Sequence, residues 1–150
     1  MKTRTAKRVV VLAVLLALAA GAVSAQTSVG IILGEPSGLS GKQWIGEGAS
    51  FDVAVAWSFV PPGALYFHLD YQQHFGIPEV EVGELLWFAG IGPRVYIGEE
   101  VVVGARIPLG VVYDIPDVPL EVFLELAPGL DLFRTVDVSF GGGIGIRYQL

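Results

Sequence analysis

Three residues in this 150-residue chain come nearest to a chemical constellation: His68, Asp70 and His74, spaced i, i+2 and i+6. On a strand these positions share one face, and imidazole with carboxylate suits zinc. A hydrogen-bonded interior accounts for His68 and Asp70 without metal, and His74 falls near a strand end. No metal and no other cofactor is expected. Ser58 and Ser139 stand on strand-like segments, but neither has a histidine nearby in sequence to serve as its base, so no catalytic residue is expected. The glycines at 141, 142, 143 and 145 lie within an alternating segment. They lack the strand-to-helix transition that a phosphate-cradling loop requires.

The remaining candidates are charges set singly into apolar runs: Arg94, Arg106, Glu121, Glu125 and Arg147. Their setting is a period of two, the signature of a strand whose faces meet different surroundings. Leu65, Phe67, Leu69 and Tyr71 form one face, and Tyr66, His68, Asp70, Gln72 and His74 the other. From 101 to 113, Val103, Ala105, Ile107, Leu109 and Val111 alternate with Gly104, Arg106, Pro108 and Gly110. Downstream, Leu120, Val122, Leu124 and Leu126 interleave with Glu121, Phe123 and Glu125. Near the end, Val138, Phe140, Ile144, Ile146 and Tyr148 alternate with Ser139, Gly141, Gly143, Gly145 and Arg147.

Phe51, Val53, Val55, Trp57 and Phe59 stand against Asp52, Ala54, Ala56 and Ser58, and residues 87–97 carry Arg94 on their polar face. Residues 28–34 make a first strand and residues 42–45 a short second one, for a count of eight. Turn signals separate the runs: Pro61-Pro62-Gly63, Gly76-Ile77-Pro78, Gly98-Glu99-Glu100, Ile115-Pro116-Asp117 and Arg134-Thr135. Pro93, Pro108 and Pro128 donate no ladder hydrogen bond, which predicts bulges or strand ends there.

The N-terminus differs in kind. Lys2, Arg4, Lys7 and Arg8 precede an apolar run over residues 9–20 and then Ala22-Val23-Ser24-Ala25. This pattern predicts a signal peptide over residues 1–25, cleaved after Ala25, ahead of one domain over 26–150. The run is shorter than the roughly 20 residues of a spanning helix. Of nine Lys or Arg in the chain, four leave with the signal, so five oppose fifteen Asp or Glu, a formal charge of −10. Nucleic acid is therefore not an expected partner. There is no cysteine to form a disulfide, and only 16% of residues are charged against 53% hydrophobic. A soluble domain carries roughly 25% charged residues. The excess apolarity belongs to strands facing lipid, and a meander in lipid must close on itself because an open edge would leave backbone groups without partners.

These features predict an all-β, eight-stranded, antiparallel up-and-down transmembrane barrel. Eight strands leave an interior just wide enough for side chains to fill. His68, Asp70, Arg94, Arg106, Glu121, Glu125 and Arg147 are accordingly expected to form an interior polar network. The turn near Pro116 brings Arg106 toward Glu125, and the one near Arg134 brings Glu121 toward Arg147. With both termini on one side, the connections after even-numbered strands should be the short ones. Residues 75–84 and 114–119 are instead longer than 60–63 and 98–100.

The polar faces and the ending Gly143-Ile144-Gly145-Ile146-Arg147-Tyr148-Gln149-Leu150 resemble the small bacterial outer-membrane β-barrel proteins of the OmpA and OmpX type. The chain departs from their pattern in closing on Leu150, where an aromatic residue is typical. The resemblance implies insertion by the barrel-assembly machinery, which reads the last strand. The reading is then a monomeric, non-enzymatic barrel of the bacterial outer membrane, in contact with its lipid, with a structural or envelope-interaction role. Two alternatives remain open from sequence. One is a soluble periplasmic barrel holding a lipid in an apolar lumen, and the other is a lipid-modifying outer-membrane enzyme.

Overall fold

The structure is a computed structural model that describes residues 26–58, 64–78, 80–132 and 135–150. The expected signal peptide, the Pro61-Pro62-Gly63 turn and Arg134 lie outside the described residues. Nine strands follow in order: β1 (Thr27–Glu35), β2 (Ser37–Trp44), β3 (Ala49–Ser58), β4 (Ala64–Gly76), β5 (Glu84–Ile97), β6 (Val101–Arg106), β7 (Leu109–Asp114), β8 (Leu120–Asp131) and β9 (Asp137–Gln149). All pairings are antiparallel, and β9 pairs back onto β1, so the sheet closes into a ring. β6 and β7 lie end to end between the same two partners, β5 and β8, and fill one place in it.

The second strand is longer than residues 42–45, because the small residues Gly38, Ser40 and Gly41 pair as regularly as their bulkier neighbours. The run over 101–113 is divided at Ile107 and Pro108, and β8 continues five residues past Leu126. Of the three prolines expected at bulges or strand ends, Pro108 does lie at one, in the break between β6 and β7, whereas the other two do not. Pro93 lies inside β5 and Pro128 inside β8. Around Pro93 the β4–β5 register is the same above (His68 with Arg94) and below (Tyr71 with Ile91), so no residue is inserted. At the break, Gly90 still donates to the Pro108 carbonyl (2.9 Å) and Ile107 to the Pro128 carbonyl (2.8 Å). Each proline withholds its own donor, and the strands on either side hold the register.

Gly30 lies level with Ser40, then Ala54, His68, Arg94, Gly104, Asp131 and Asp137. Continued past Glu35 and Gly142, the β9–β1 register would return this path to position 40, ten residues from its start. Such a stagger tilts barrel strands by roughly 40° to the axis. The connections are short at both ends: residues 45–48, 77–83 and 115–119 on the side of the termini, and 36, 59–63, 98–100 and 132–136 on the other.

The sidedness is uniform. Leu69, Ile91, Leu124, Leu126, Ile144 and Ile146 face outward, exposed by 41 to 68%. Asp70, Arg94, Arg106, Glu121, Glu125 and Arg147 face inward and are buried. An apolar lumen able to hold a lipid is thus not what these strands enclose. The apolar part of the interior is a small cluster of Ile32, Phe88, Val112 and Phe123, with Leu86 against it.

Gly145 shows how tightly that interior is filled. A Cβ there would collide with the Phe123 ring and lie 2.6 Å from the Ile31 carbonyl oxygen, whereas one at Gly46 would meet nothing within 4 Å. Overpacking a core costs about 1–3 kcal/mol. Gly145→Ala is therefore expected to lower the urea-unfolding midpoint, with Gly46→Ala near the parent; equal midpoints would contradict this packing.

Candidate functional site: the charged interior

The interior charges meet because consecutive strands bring their inward positions level. Glu121 stands opposite Arg147 in the β8–β9 ladder, Asp52 opposite Lys42 in β2–β3, and His68 opposite Arg94 in β4–β5. Long side chains then reach across the lumen.

Arg106 is one hub. Its Nη1 donates to the Tyr66 hydroxyl (2.9 Å) and to His68 Nδ1 (2.7 Å), its Nη2 to Glu125, and its Nε lies 3.1 Å from Asp70 Oδ2. Since His68 Nδ1 accepts from Arg106, the ring proton sits on Nε2 and is donated to Asp52 Oδ1 at 3.1 Å. Arg147 is the second hub. It donates to Asp52, to Glu121 Oε1 (2.9 Å) and through Nε and Nη2 to Ser40 (2.9 and 2.8 Å). Its guanidinium also lies 3.8 Å from the Phe123 ring centre. Glu121 in turn accepts from Lys42 (3.2 Å) and Ser28 (3.2 Å). His68 and Asp52 join the two hubs into one network. Arg94 stands apart toward the far mouth, where it holds Asp131 at 2.6 Å and donates to Ser139.

Of the five basic residues beyond position 25, Lys42, Arg94, Arg106 and Arg147 are all buried here. A charge withdrawn from water needs an opposite charge and hydrogen bonds around it. Each of these has both.

The seven residues singled out from the sequence all lie on the inward face, and Arg106 with Glu125, and Glu121 with Arg147, stand in direct contact. Arg94 does not join them. The sequence reading left out Lys42, Asp52 and Asp131. Asp52 alternated with apolar residues in plain view, whereas Lys42 and Asp131 sat on strands read too short.

His74 parts from His68 and Asp70. Six residues along a strand is about 20 Å, and its Nδ1 contacts the Gly48 carbonyl (3.2 Å), with its ring against Trp44 and Phe88. Asp52 takes its place, so that Asp52, His68 and Asp70 bring ligand-type atoms within 4.8 Å of one another. Arg147 and Arg106 already hold those carboxylates, and a metal cation would face both guanidinium groups at short range. The two serines also have partners: Ser58 donates to Glu35, and Ser139 accepts from Arg94.

The arrangement binds strands together across the lumen. Removing Glu125 strands Arg106 without its closest carboxylate, whereas Glu99 is exposed in a turn. Glu125→Ala is accordingly expected to lower the melting temperature of the refolded protein more than Glu99→Ala does. Equal melting temperatures would remove the network from the account.

No protein-family model and no curated protein matches the chain. Among solved structures, the N-terminal β-barrel domain of Pseudomonas aeruginosa OprF is similar, with a TM-score of 0.63 and 16% identity over 81% of this chain and 95% of that one. The likeness is one of fold: an all-β antiparallel barrel of the OmpA type.

Proposed function

We propose that this OmpA-type barrel spans the bacterial outer membrane as a non-enzymatic, structural component of the envelope, exported by the N-terminal signal segment and closed inside by its charged network. The observation that carries the reading is the direction of the faces. Residues as apolar as Leu126, Leu39 and Ile91 stand 60 to 68% exposed around the ring, while charged side chains fill the lumen. Water-soluble barrels reverse that order. A bilayer supplies the surroundings that the outer wall requires, and closure leaves the spanning backbone paired.

The outer aromatic residues support the same placement. Phe51, Tyr71, Phe75, Trp87 and Tyr148 project outward near the end that carries the termini, and Trp57 and Phe140 near the other. Such girdles mark the two interfaces of membrane barrels. The filled interior favours a structural role over passage of solutes.

Heat-modifiable gel mobility in outer-membrane fractions tests the reading directly. The chain is expected in that fraction, migrating faster before boiling than after. Recovery in the soluble periplasmic fraction without detergent would overturn the membrane assignment.

A further inference from the structure

Among the described residues, β9 runs on past the end of its β1 partner at the top of the ring. β1 pairs with β9 only as far as Glu35 with Gly142, whereas β8 pairs with it up to Asp137. Among the described residues, 137–141 therefore have a ladder partner on the β8 side only. The Leu150 N–H donates to Thr27 on the β1 side, and the Gln149 N–H to Pro119 on the β8 side. Carried up an unbroken register, this alternation turns the backbone N–H and C=O of Val138 and Phe140 toward the vacant side. Their side chains face outward, 68 and 77% exposed. An unpaired strand edge of this kind is a template for another strand.

A second copy is the wrong occupant. Two identical edges pair antiparallel about a twofold axis normal to the sheet. Here the sheet is the barrel wall, so that axis lies in the membrane plane and would insert the second barrel upside down. This exclusion rests on the membrane reading above. The charge beside the edge points elsewhere. A mouth of about 690 Å³ adjoins it, with Glu35, Glu99, Glu100 and Asp131 in its lining and Phe140 at its wall, and Asp137 is on the inward face of the edge itself. Arg94 is the basic side chain described at this end, and it is engaged with Asp131 and Ser139.

We infer that the Val138–Phe140 edge of β9 takes up an extended peptide segment in which apolar residues alternate with lysine or arginine. The segment adds a strand to the wall. Its apolar side chains continue the outer face beside Val138 and Phe140, and its basic side chains turn toward the carboxylates of the mouth.

The test uses the chain purified in a nonionic detergent and a fluorescein-labelled octapeptide of alternating lysine and valine. Saturable binding is expected by fluorescence anisotropy. N-methylation of alternate peptide residues removes the ladder donors, and Val138→Pro removes the matching donor on the vacant side while leaving the β8 ladder intact. Each should weaken binding by about tenfold or more, and a glutamate–valine peptide should not bind. Retained heat-modifiability checks that Val138→Pro still folds; should it not, the methylated peptide on the parent chain decides the question alone. Equal affinity for methylated and unmethylated peptides would mean attraction to the acids only, and would overturn the proposal. So would a failure of the lysine–valine peptide to bind, or self-association of the chain without peptide that Val138→Pro abolishes.

Discussion

Glu121→Ala should be among the most damaging single substitutions in this barrel, lowering its unfolding free energy by about 3–5 kcal/mol, the usual loss when one member of a buried ion pair is removed. Glu121 is 1% exposed and accepts from Lys42, Arg147 and Ser28 together. Without it, Lys42 stays buried with no other carboxylate at ion-pair distance among the described residues. Arg147 retains Asp52 and Ser40. The damage therefore concentrates on Lys42, and Lys42→Met in the same chain should return part of the loss. Equilibrium urea unfolding in micelles measures both. A single variant as stable as the parent, or a double variant no better than the single one, would show that the charges are not held as a unit.

The second large effect belongs to the opposite face. Leu126 projects from the middle of β8 and is 68% exposed. In water, arginine at such a site would be tolerated or even welcome. At the midplane of a bilayer it costs about 2–4 kcal/mol. Leu126→Arg is expected to reduce stability by that amount in phospholipid vesicles, and the same change at Glu99, in a turn at the barrel mouth, by much less. An unchanged unfolding midpoint for Leu126→Arg in vesicles would place that face outside the hydrocarbon and take the membrane reading with it.

The sidedness was readable because bulky apolar and charged side chains contrast sharply at a period of two. Leu124 and Ile146 against Glu125 and Arg147 needed no coordinates. The two contacts made by neighbouring strands, Arg106 with Glu125 and Glu121 with Arg147, followed from counting back from a turn. The same method failed where contrast was missing. Gly38, Ser40 and Gly41 present almost no side chain to either face, so β2 looked short and Lys42 had no assigned direction. The alternation from Leu120 is legible only to Leu126, and Pro128 predicts a bulge or strand end, which hides Asp131 and the partner of Arg94. A proline inside a closed barrel reads as a bulge or strand end because a sequence shows only the donor it lacks. The neighbouring strands that keep the register across Pro93 and Pro108 belong to the tertiary structure. Contacts across the lumen, such as Arg147 with Asp52, depend on the ten-residue stagger, which no single hairpin reveals.

The brevity of the connections at both ends has a consequence for the choice of membrane. A barrel with long overhanging loops can rise or sink a little in its bilayer, since polar chain beyond the rim makes up the difference. Placed in the outer membrane as proposed, this one would have almost none to spare, so its greasy belt and the hydrocarbon slab would have to agree closely in height. On that placement acyl-chain length becomes an external variable the fold would register: lipids too long would have to thin around it, lipids too short would leave leucine and valine in the headgroup layer, and either mismatch costs a fraction of a kcal/mol per ångström.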